Sequence, residues 1–197
     1  MMVQTDFQMT ENRPLSNAKL AVLILLGSET MLFSGLIGAF LVFRMGSVAW
    51  PPLSLAEIQL PRLVTGINTI LLVISGYTMF QALRSIQLDR VKLFQNLLIL
   101  TGALGLVFLI IQGWEWIQLI EKGLTLQSGV YGAIFYVLIG CHAVHVLGAV
   151  IWLTIVIGMA ISGRFSSDSH IGVETCTIYW IYVVALWPIL YFLVYFA

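Results

Sequence analysis

YGAIFYVLIGCHAVHVLGAVIW, the stretch from Tyr131 to Trp152, is apolar enough to cross a bilayer. It nevertheless carries two histidines three residues apart, His142 and His145, with Gly140 and Gly148 on either side. A polar ring inside a membrane span needs a reason. The reading of this stretch as a span sets the class of the whole chain, and its neighbours bear the class out in composition. Of the 197 residues, 60% are hydrophobic and 9% are charged, where a soluble domain carries about 25% charged residues. The chain therefore reads as all-α, a polytopic membrane protein with a bundle of five transmembrane helices.

Working outward from that stretch, five apolar runs are long enough for a hydrocarbon core of about 30 Å, which takes about 20 helical residues. They are Lys19–Phe43, Leu63–Leu83, Phe94–Ile120, Val130–Ile161 and Thr175–Phe196. Their continuity favours helices over a barrel, because backbone in lipid must bond internally. The third and fourth exceed the minimum and are expected to tilt or project. Residues 1–18 are polar and read as a tail, and 19–197 read as one domain. The first run is too long for a signal h-region and has no small-residue cleavage site behind it.

Lys and Arg fall unequally on the two sides of such a bundle. Arg13, Lys19, Arg84, Arg90, Lys92 and Arg164 lie on one side, and Arg44, Arg62 and Lys122 on the other. The excess puts the N-terminus in the cytoplasm and the C-terminus outside. Net charge is zero, so nothing argues for nucleic acid. Cys141 and Cys176 form no CxxC pair and read as small buried hydrophobes.

The polar residues within the runs carry the functional question. Glu29 lies about 15 Å into the first span, and Leu32, Phe33, Leu36 and Phe40 share its face. It is open to two readings: a proton-relay or ion site, or an acid making one interhelical hydrogen bond. Thr65, Asn68, Leu72, Ser75, Gly76 and Met79 form a small-to-polar face suited to helix contact in lipid. Gln112 and Glu115 are three apart and can bond each other or a neighbouring helix. Glu115, near the end of its span, has the headgroups as another destination.

His142 and His145 share a face. A zinc site needs three or four ligands and bis-histidine haem needs opposed rings. The remaining histidine, His170, is in a loop. Metal or haem ligation is thus disfavoured against hydrogen bonds to Glu or Gln on other helices. No Walker loop, GxGxxG, HExxH or nucleophile elbow is present, so no catalytic residue is assigned.

Several short stretches, taken in order, resemble subunit III of the haem–copper terminal oxidases. They are Gly27-Ser28-Glu29 with Phe33; Trp50-Pro51-Pro52; Pro61 with Asn68-Thr69; Ser75-Gly76; Gln112 with Glu115; Tyr131-Gly132 with Phe135; Gly140 to Val146; Gly172 with Glu174; and Tyr179-Trp180 with Trp187. The resemblance covers about residues 19 to 196 and implies a five-helix form, longer members having two more N-terminal helices that complete a lipid-holding cleft.

It also implies an accessory subunit of a cytochrome c oxidase-type complex in aerobic respiratory electron transport. Such a subunit holds no haem or copper, which belong to partner subunits. It packs with catalytic subunit I and subunit II, binds phospholipid and supports proton uptake. Glu29, Glu115, His142, His145, Glu174 and Trp180 match recurrent positions. The family usually reads Trp-His-Phe-Val-Asp in the last span, where this chain has Trp180-Ile181-Tyr182-Val183-Val184. That departure leaves open a subunit-III-like protein of a quinol oxidase or nitric oxide reductase. A small proton or ion transporter using Glu29, Glu115 and the histidines is the reading from another class.

Overall fold

The computed structural model describes residues 16–52 and 60–196. They form five α-helices: α1 (Asn17–Gly46), α2 (Arg62–Gln87), α3 (Val91–Glu121), α4 (Gly129–Ile161) and α5 (Ile171–Tyr195). All five are long and apolar enough to cross a membrane. The chain is a multi-pass helical membrane protein, as its apolar runs require. The helices are 25 to 33 residues long, or roughly 37 to 50 Å. Each therefore outruns the hydrocarbon core at one end or both.

The first three helices run past both ends of their apolar runs, because caps and turns extend regular structure into polar sequence, whereas α4 ends with its run at Ile161 and α5 starts four residues before its run and ends one residue short of Phe196. Of the tail expected over 1–18, residues 1–15 lie outside the described residues. Ser16 is the N-cap of α1 and accepts from the Lys19 amide at 3.3 Å, so Asn17 and Ala18 are already helical. Arg84 and Gln87 extend α2 to a tight turn. There the Asp89 and Arg90 amides donate to Ile86 and Ser85 carbonyls, and Asp89 takes φ 57°. After α3 and α4 the same bonding pattern falls on Gly123 (φ 93°) and Gly163 (φ 69°). Glycine is suited to that left-handed closing position.

Four helices form a closed ring in which α5 packs on α2 and α4, and α3 packs on both of them from the other side. Helix α1 lies outside the ring, against α4 and α5 only. The interior is heavily aromatic, with Phe94, Phe108, Phe135, Trp180, Trp187 and Tyr195 all essentially inaccessible. Trp50, just past α1, sets its ring edge-on between Phe40 and Tyr131, at 5.5 and 5.0 Å between centroids.

Candidate functional site

The buried polar side chains gather in three places, and each ties two or more helices together. The first joins α2 to α3 near the end of the ring where α2 begins. The Thr65 hydroxyl lies 2.9 and 3.0 Å from the two oxygens of Glu115, and the Gln112 amide donates to Oε2 of the same carboxyl at 3.1 Å. Glu115 is 2% exposed. Its expected reach toward the headgroups is thus overturned: helix α3 runs on past it, and two donors hold it inward. The pairing of Gln112 with Glu115 is made, and so is the meeting with a neighbouring helix. One turn deeper, the Asn68 amide donates to the Phe108 carbonyl at 3.1 Å. Thr78 and Thr101 share a hydrogen bond of 2.8 Å still farther along.

The second cluster stands on α5. Trp180 Nε1 donates to Ser75 Oγ at 3.2 Å, and Trp187 Nε1 donates to Thr69 Oγ1 at 2.9 Å. The Trp180 ring fills the space over Gly105: a Cβ there would lie 2.5 Å from Cη2. Val184 packs on Gly76, where a Cβ would meet its Cγ1 at 3.1 Å. The short motifs Ser75-Gly76 and Tyr179-Trp180, a hundred residues apart, are therefore two sides of one contact. Of the two positions where an apolar residue stands in place of the pattern's polar one, Val184 is buried there, whereas Ile181 is 38% exposed on the outer face.

The third cluster attaches α1. The Tyr179 hydroxyl donates to Glu29 Oε1 at 3.0 Å. His145 Nε2 stands 3.7 Å from that oxygen, and its Nδ1 lies 2.6 Å from the Cys141 carbonyl. Phe33 meets the His145 ring edge-on at 5.1 Å. Where α5 begins, Lys19 Nζ reaches Glu174 at 2.6 Å, with His170 3.4 Å from the other oxygen. That end of α1 is partly exposed, so this pair contributes little beyond alignment.

The two histidines do not work as a pair. They are 60° apart around α4, and that is enough to send them into different interfaces. His145 turns to α1. His142 is wholly buried, stacked on Trp187 at 4.9 Å with Phe33 and Phe108 edge-on at 6.4 Å each. Neither of its ring nitrogens has a hydrogen-bond partner among the described residues. The expectation that both would tie α4 to acids or amides is therefore corrected: His142 packs as an aromatic ring. Among the described residues no three of His, Cys, Asp and Glu converge for a metal.

Sequence reasoning placed Thr65 on a packing face and missed it as the donor to Glu115. It likewise missed Tyr179 as the partner of Glu29. Both are hydroxyls facing a carboxyl across a helix interface, and no spacing rule links them.

Fold and clusters together define a multi-pass helical membrane protein whose polar interior is used to join helices. Its wider kin follow from comparison with known proteins. The family model for cytochrome c oxidase subunit III matches residues 3–197, and the chain belongs to that family. Among curated relatives, cytochrome c oxidase subunit 3 of Synechocystis sp. is 35% identical over 88% of this chain and 73% of its own length. That of Thermostichus vulcanus is 33% identical over 89% and 85%, and that of Pisaster ochraceus 32% over 98% and 75%. The chain is thus an accessory subunit III of a haem–copper oxidase, a multi-subunit complex.

Proposed function

We propose that residues 19–197, with Asn17 and Ala18 joined to them in α1, act as one cofactor-free domain behind a polar tail. This domain packs on catalytic subunit I, beside subunit II, and supports the stability and proton uptake of the catalytic subunit. The haem and copper belong to those partners, and phospholipid fills the remaining periphery. The placement is the cell membrane, with the N-terminus cytoplasmic and the C-terminus outside. One observation carries the reading: Glu115, Glu29 and Trp180 are each engaged in a hydrogen bond between helices of this chain. Glu29, Asn68, Gln112, Glu115, His145, Glu174 and Trp180 are then structural residues. Glu29, on α1 outside the ring, is the residue for which we propose a proton-related role.

The test is purification through a tag on this chain, followed by a subunit inventory and a reduced-minus-oxidised spectrum. Haem-bearing subunits should co-purify, and the isolated chain should hold neither haem nor copper. Stoichiometric haem or copper on the isolated chain would falsify the reading. Loss of the chain should slow proton uptake by the complex while leaving its haem spectrum unchanged. A second reading draws on the apolar Ile181 and Val184: service in a quinol oxidase or nitric oxide reductase. The haem types in the same spectrum and the partners in the inventory separate the two.

A further inference from the structure

Three buried side chains of the four-helix ring keep polar atoms that no described residue satisfies. Asn68 on α2 donates its amide to the Phe108 carbonyl at 3.1 Å, and its Oδ1 has no partner. Gln112 on α3 donates to Glu115 at 3.1 Å, and its Oε1 has none. His142 on α4 has none at either ring nitrogen. Asn68 and His142 are 0% exposed and Gln112 is 2% exposed, so bulk solvent does not serve them. Buried polar atoms without a partner are costly and uncommon.

The packing puts all three at one depth. Asn68 reaches the Phe108 carbonyl, about one helical turn from Gln112. Helix α4 runs past α3 with Val150 opposite Gly105 and Gly140 beside Trp116, which sets His142 against the turn of α3 that holds Gln112. Trp187 closes the layer. Its ring stacks on His142 at 4.9 Å, and its Nε1 donates to Thr69, the residue after Asn68. Phe108 meets the His142 and Trp187 rings edge-on, at 6.4 and 5.1 Å.

The two amide oxygens only accept, and a neutral imidazole carries one donor and one acceptor. What joins them must be small, donate twice and accept once. Water meets that description, and a buried water typically makes about three hydrogen bonds. A bare ion fits less well, because amides and an imidazole walled by aromatic rings supply no neutralising charge.

We propose that the ring binds one internal water at this layer. It donates to Asn68 Oδ1 and Gln112 Oε1 and accepts from an N–H of His142. It thereby links α4 to α2, which lies across the ring and does not pack on α4 directly. The site is internal to this chain and independent of which oxidase subunits surround it.

X-ray radiolysis of the intact complex in nanodiscs tests this, with oxidation of each side chain read by peptide mass. Hydroxyl radicals form from water and attack what lies beside it, so a bound water marks buried rings. The exposure is made under argon, so that the added oxygen comes from water. Trp187 should be oxidised severalfold faster than Trp180, an equally buried indole on the same helix. Mixing into water enriched in heavy oxygen just before exposure separates a bound water from open access. The first products on Trp187 should carry ordinary oxygen.

Equal oxidation of the two tryptophans overturns the proposal. Fully heavy oxygen on Trp187 at the shortest mixing time also overturns it. His142→Phe keeps an aromatic ring against Trp187 and removes the donor. In that variant Trp187 oxidation should fall to the level of Trp180, and oxidation at the wild-type rate counts against the site. The wild-type comparison stands whether or not the variant assembles.

Discussion

Gly105 shows how closely α3 approaches α5. A methyl group there would meet Trp180 at 2.5 Å and Val150 at 3.2 Å. The indole cannot simply withdraw, because its Nε1 is bonded to Ser75 and the ring is 2% exposed. Gly105→Ala should therefore destabilise the chain by about 1–3 kcal/mol, the cost of overpacking. A fall in the thermal release temperature of this subunit from the complex would register it, and an unchanged temperature would mean the helices can part freely.

Glu115 offers a second residue-scale test. Replacing it by Leu leaves the Gln112 amide without its acceptor, at about 1–3 kcal/mol, while the Thr65 hydroxyl keeps the Pro61 carbonyl at 3.0 Å. Glu115→Gln keeps an acceptor oxygen for Thr65 and presents an amide to Gln112 Oε1, which has no partner among the described residues. The Gln variant should thus be clearly more heat-stable than the Leu variant. Equal stabilities would show that these bonds contribute nothing.

At the scale of elements, α1 is the exception. The other four helices close a ring, while α1 leans on α4 and α5 and buries only Val22, Glu29, Phe33 and Phe40. Phe33 is 1% exposed and set against both histidine rings. Phe33→Ala should cost about 3–5 kcal/mol and loosen α1 selectively. Met31, two residues away and 79% exposed, is the control, and Met31→Ala should change little. Disulfide trapping between cysteines introduced on α1 and α5 reads this directly. Equal trapping rates in the two variants would remove Phe33 as the anchor.

For the whole molecule, five crossings put the chain's two ends on opposite sides of the membrane. From the Lys and Arg excess we propose that the N-terminus, Arg84, Arg90, Lys92 and Arg164 lie on the cytoplasmic side. Alkaline phosphatase fused after the last residue should be active in intact cells, and the same enzyme fused in the α2–α3 turn should be inactive. The reverse pattern would invert the topology and move every side assignment with it.

The five spans and the membrane class were legible in the sequence because lipid leaves so few choices. A backbone without water must close its own hydrogen bonds, so a long apolar run becomes a helix whatever surrounds it. The contact between Gln112 and Glu115 was legible for a similar reason, since three residues along one helix bring two side chains together locally. Which polar group meets which across helices was not legible. Tyr179 faces Glu29, and Thr65 faces Glu115, only because α5 enters beside α1 and α2 beside α3. His142 and His145 look equivalent in GCHAVHV, yet 60° of helical rotation decides that one stacks in the ring and the other turns to α1. That choice depends on where three other helices stand, which is a property of the packed bundle and not of any one stretch.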